Sequence, residues 1–163
     1  MNDRRAAVGI LGAAGALAWT LAGWGDTTGP VVPYPEGYRL WAHVKTTVIG
    51  PQSPDFQRNG GIHHFYANPK GMEGYRTGAF ADGAVLVDDS MEANENAGKI
   101  TEGTRHRVAV MVRDADLYRA SGGWGFEIFK GDGRDPALTA EGRAACFACH
   151  SNAKNLVFSE YRP

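Results

Sequence analysis

Cys146 and Cys149 stand two residues apart and are followed directly by His150. Cys-x-x-Cys-His is the attachment pattern of c-type haem. Each thiol can add across a vinyl group, a helix sets the two sulfurs at the vinyl separation, and the adjoining imidazole falls under the iron. A zinc site would need two more soft ligands nearby, and the chain has no third cysteine. A thioredoxin-like redox pair would open a helix after an early strand, whereas this pair lies near the C-terminus. The expected cofactor is one covalent haem c, anchored by Cys146 and Cys149, with His150 as proximal iron ligand.

At 163 residues the chain suits one domain. A formal net charge of -1 offers no basic field to nucleic acid and no strong acidic patch to a cationic partner. Arg4 and Arg5 precede an apolar run from Ala6 to Ala22, the layout of a bacterial secretory signal. Haem is attached to exported chains, so both features point to the periplasm. The apolar run is long and Gly23-Trp24-Gly25 makes no clean cleavage site, which leaves an N-terminal membrane anchor as the alternative. Residues 1–25 are thus read as signal or anchor, 26–34 as a Gly/Thr/Pro-rich linker and 35–163 as the haem domain.

The elements that must carry the motif follow from pattern. Pro35 predicts a helix with Tyr38, Trp41 and Lys45 on one side. Gly50 to Pro54 breaks it, and Ile62–Ala67 reads as a strand. Asn68-Pro69 supplies cap and first turn of a helix ending near Gly78. Ala84–Val87 and His106–Val112 read as strands joined by a polar loop over Asn94–Gly103. Asp114 caps a short helix that stops at Gly122-Gly123, Trp124–Phe129 is a further strand, and Thr139 caps the helix bearing the motif. The class is α+β: an antiparallel sheet packed with short helices and a C-terminal haem-attachment helix.

Several segments resemble the cytochrome P-460 family and its relative cytochrome c-prime-beta. They are Gly37-Tyr38-Arg39-Leu40-Trp41-Ala42-His43-Val44-Lys45, Ile62 to Pro69, Tyr75 to Gly78 with Asp82-Gly83-Ala84-Val85, Gly122 to Phe126, and the ending Val157 to Pro163. The resemblance implies a sheet packed on haem, a homodimer, and five-coordinate iron with an open distal side. In such relatives the haem oxidises hydroxylamine through a lysine cross-link, or binds nitric oxide or carbon monoxide without one. By the same resemblance Asp88 stands where the cross-linking lysine belongs, His63 where a pocket arginine belongs, and Ala109 where an acidic proton acceptor belongs. Lys45, Lys70 and Lys99 are the remaining cross-link candidates.

On a strand His63, Phe65 and Ala67 share one face, and Ile62, His64 and Tyr66 the other. His63 could donate to a bound ligand, accept a proton from it, or ligate iron; on the surface or at a dimer interface it would be an ordinary strand histidine. Asp88, beside Leu86 on its face, is a second candidate for proton transfer, or an exposed strand end. Phe65, Trp124 and Phe126 are candidate pocket walls, with core packing as the plainer reading. Met111 could be a sixth ligand but sits in a Val-rich strand, where methionine is usually core. His43 reads as helix surface and His106 as strand edge. The reading is a periplasmic monohaem cytochrome that binds or oxidises small nitrogen species (nitric oxide, hydroxylamine), receiving electrons from or passing them to a partner cytochrome. The alternatives are a six-coordinate electron carrier or a gas scavenger without turnover.

Overall fold

A computed structural model describes residues 29–162. Five strands, β1 (Ala42–Ile49), β2 (Gly61–Ala67), β3 (Val85–Asn96), β4 (Lys99–Arg113) and β5 (Trp124–Lys130), form one antiparallel sheet in chain order. Three helices accompany it: α1 (Phe56–Asn59), α2 (Pro69–Thr77) and α3 (Ala140–His150). The α+β class expected from the sequence is the one observed.

Local chemistry explains the helix boundaries. Asn68 accepts a hydrogen bond from the Gly71 amide, Pro69 occupies the first turn, and left-handed Gly78 closes α2. Thr139 caps α3 by accepting from Gly142 N, a contribution of about 1 kcal/mol. At the start of β2, Gly61 has φ 127°, and a Cβ there would lie 2.2 Å from the Met91 carbonyl oxygen, so only glycine lets β2 approach β3 so closely.

The two sheet faces differ. Val32, Tyr38, Val87, Val108, Val110, Tyr118 and Phe129 close one core. The other cluster sets Ala67, Leu86, Trp124 and Phe126 against Cys146, Phe147, Leu156 and Val157, so α3 and the chain after it cover this side.

Four sequence expectations change. The helix predicted from Pro35 is a single 3-10 turn, Tyr38–Leu40, after which the chain becomes β1. Tyr38, Trp41 and Lys45 fit a helical period, but Val44, Thr46, Thr47, Val48 and Ile49 are β-branched, and pairing with β2 satisfies their backbone. His43 is therefore a strand residue, not a helix-surface one. The polar stretch Asn94–Gly103 is not a loop: β3 and β4 continue through it to a two-residue turn at Ala97-Gly98, both with positive φ. Their polar side chains are tolerated because this end of the hairpin is largely exposed. After Asp114, whose Oδ1 accepts from the amides of Asp116 and Leu117, only a 3-10 turn, Arg119–Ser121, forms before the left-handed pair Gly122-Gly123. Finally, the expected linker is packed at its end: Val32 is fully buried and Tyr34 meets Phe129 edge-on at 5.0 Å. The signal or anchor at 1–25 and the start of that linker lie outside the described residues, among which no helix is long and apolar enough to cross a membrane.

Candidate functional site

α3 carries Cys146, Cys149 and His150 at spacings that share one side of a helix. Cys146 is half-buried against the sheet, and burial raises its thiol pKa; Cys149 is exposed. His150 is oriented from behind. Its Nδ1 lies 2.7 Å from the Leu156 carbonyl, which can only accept, so this nitrogen holds the proton. Nε2 is then left with its lone pair, and burial lowers the pKa of the ring and keeps it neutral. Phe126 and Phe158 flank the ring at 5.2 and 5.0 Å.

Across from α3, register builds two rows. Ala67, Leu86, Met111 and Phe126 are aligned on four neighbouring strands, and Phe65, Asp88, Ala109 and Ile128 form the next row. Phe65, Asp88, Ala109, Met111 and Ile128 are half-buried, while Val87, Val108, Val110 and Phe129 on the opposite face are at most 2% exposed. The side toward α3 thus keeps a partly open, mostly apolar surface. With two thiols and an imidazole nitrogen freed by its own hydrogen bond, the donor set and this surface fit a c-type haem. No group of three His, Cys, Asp or Glu residues able to hold a bare metal ion occurs among the described residues.

The sequence model of the Cytochrome P460 family matches residues 35–159. The chain belongs to the cytochrome P460 family. Membership implies a haem cofactor. No curated protein matches the chain.

Within this cytochrome P460 framework the two distal candidates meet. His63 is 3% exposed and its Nδ1 lies 3.0 and 3.1 Å from the two Asp88 carboxylate oxygens. Its Nε2 lies 2.8 Å from the Asn59 carbonyl. Both ring nitrogens face acceptors, an arrangement that satisfies the imidazolium and leaves no lone pair toward iron. Burial disfavours that charge, but the hydrogen bond and charge of Asp88, helped by Asn59, outweigh it, and the His63 pKa is raised. Asp88 is not an exposed strand end, because β3 runs on through fully buried Asp89.

Phe65 stacks on His63 at 6.3 Å. Trp124 belongs to the packed end of the cluster, 5.4 Å from Phe80 and under the Arg113 guanidinium. Met111 lies in the row between Leu86 and Phe126. His64 points to the other side, with Nε2 2.8 Å from Glu102. Of the three lysines, Lys45 is paired with Phe65 across β1 and β2, Lys70 donates to the Asp82 carbonyl, and Lys99 lies at the hairpin turn.

Sequence reasoning missed three residues. Asn59, at the end of the unpredicted α1, binds His63 through its carbonyl and Arg107 Nη2 through Oδ1 at 2.8 Å. Arg107 Nε is enclosed without an acceptor, a state that costs about 1–3 kcal/mol. Glu127, 1% exposed, accepts from the amides of Ala137 and Leu138 and so ties the approach to α3 onto β5. Its Oε2 lies 3.7 Å from Arg143, an electrostatic contact too long for a hydrogen bond. No local motif marks these residues; they acquire partners only through sheet register and chain return.

Proposed function

We propose that the chain is a periplasmic c-type monohaem cytochrome that binds or oxidises a small nitrogen species such as nitric oxide or hydroxylamine. In this reading Cys146 and Cys149 hold the haem through thioethers and His150 is its only protein ligand. When bound, the haem supplies an iron centre that takes a small ligand and exchanges electrons with a partner cytochrome.

The observation that carries the reading is the pair of imidazole environments. His150 has its proton drawn to the Leu156 carbonyl and offers Nε2, whereas both His63 nitrogens are occupied by Asp88 and Asn59. One histidine is prepared as a ligand and the other as a proton-holding cation. The chain's own work is then to tether the group at α3, cover one side with Phe65 and the neighbouring row, and hold a proton on His63 beside the ligand side.

The proposed localisation rests on the basic and apolar pattern of residues 1–25. A homodimer, implied by the resemblance, would use a surface outside the covered faces, and among the described residues the outer edge of β1 has no strand partner.

The test is the absorption spectrum of the reduced holoprotein with and without carbon monoxide. Immediate, saturable binding supports the open-site reading. A low-spin reduced spectrum that resists the gas returns the protein to electron carriage.

A further inference from the structure

Arg107 has no role in haem attachment or axial ligation, yet it lies on the side of the sheet that faces α3. Register places it in the row His63, Ser90, Arg107, Lys130, next to the row that holds Asp88 and Ala109. Its charge reaches both Cys146 and His63, although burial of Cys146 and the Asp88 hydrogen bond and charge at His63 leave both pKa values raised. Nη2 is held by Asn59 Oδ1 at 2.8 Å, and Nε has no acceptor among the described residues.

The local charge is unbalanced. His63 when protonated and Arg107 are two cations, and among the described residues Asp88 is the one carboxylate hydrogen-bonded to either. Lys130 continues the cationic row at its exposed end. A half-buried guanidinium with an enclosed, free Nε donor, beside an excess positive charge, is chemistry for a negatively charged oxygen.

We propose that Arg107, held by Asn59 and backed by His63, is the docking point for an oxyanion at the haem site. The proposal rests on the reading that haem occupies this side of the sheet. Two sources supply the same chemistry: a small free oxyanion entering from solvent, or a carboxylate of the haem itself.

The experiment uses the purified holoprotein and two variants, Arg107→Gln and Arg107→Lys. Nitrite is titrated into the oxidised protein, carbon monoxide into the reduced protein, and the haem propionate bending mode is followed by resonance Raman. For a free oxyanion, R107Q weakens nitrite binding about tenfold or more, R107K weakens it less, and affinity for neutral carbon monoxide is unchanged. For the haem carboxylate, nitrite affinity stays and the propionate mode shifts in R107Q. If both readouts match the unaltered protein, the proposal is overturned. Should R107Q fail to accumulate with haem, R107K carries the test, because it keeps the cation and loses the Nε donor: unchanged nitrite affinity with an unchanged propionate mode overturns the proposal equally. Failure of the unaltered protein to bind carbon monoxide would sink the open-site reading by a separate measurement.

Discussion

Asp88 and Ala109 face each other across the β3–β4 ladder, and both stand in one row with Phe65 on β2. The methyl group of Ala109 therefore lies on the side facing α3, across the ladder from Asp88. A base that accepts a proton as electrons leave typically contributes ~100-fold to ~10,000-fold in rate. Ala109→Glu is expected to raise hydroxylamine oxidation from a low starting rate, read by steady-state turnover with an artificial electron acceptor. Ala109 is half-buried, so the longer side chain can reach water. Brisk turnover before the substitution would assign the base to Asp88, a pocket water or His63 in its deprotonated form instead.

The His63–Asp88 pair makes stability depend on pH. Because the folded pKa of His63 is raised, its contribution is complete below the unfolded value of about 6.5 and disappears as pH rises through the folded value. Asp88→Ala should cost about 1–3 kcal/mol on the acidic side of that window and much less above it. Urea unfolding of both proteins across the window measures this. Parallel curves at all pH values would mean that the imidazolium is not the stabilised form.

With His63 engaged at both nitrogens, neither it nor Met111 is expected to ligate reduced iron. His63→Gln and Met111→Leu should both leave a high-spin iron–imidazole stretch in the reduced resonance Raman spectrum. Loss of a low-spin signal in either variant would identify that residue as a sixth ligand.

Covalent attachment is expected through both thiols. The intact holoprotein should carry the mass of one haem and keep it in acid acetone. Cys146→Ser and Cys149→Ser should each retain one thioether, and the double variant should release the group. The haem peptide from a digest should show no link to Lys45, Lys70 or Lys99. A third attachment, to Lys45 above all because it is paired with Phe65, would restore the cross-linked chemistry.

Glu127→Ala removes the acceptor for the amides of Ala137 and Leu138 and a carboxylate 3.7 Å from buried Arg143. It should destabilise the protein by about 1–3 kcal/mol, since buried amides lose their acceptor. Chemical unfolding monitored by far-UV circular dichroism tests this.

Much of this protein was legible in its sequence because the signals were local. The Cys-x-x-Cys-His motif spans only one helical turn, and the Asn68 and Thr139 caps and the Gly78 stop act within a few residues, so the motif and these helix boundaries were readable together. Alternation in β2 correctly separated His63, Phe65 and Ala67 from His64 and Tyr66, because side chains on a strand must alternate. β1 was misread as a helix since Tyr38, Trp41 and Lys45 satisfy a helical period too, and only partnership with β2 decides between them. What tertiary structure alone decided is the pairing of charges. Register brings Asp88 to His63 over 25 residues, α1 delivers Asn59 to both His63 and Arg107, and the returning chain sets the Leu156 carbonyl behind His150. Those contacts choose which imidazole keeps its protons and which offers a lone pair, and a hydrogen bond between distant residues leaves no periodic trace in a sequence.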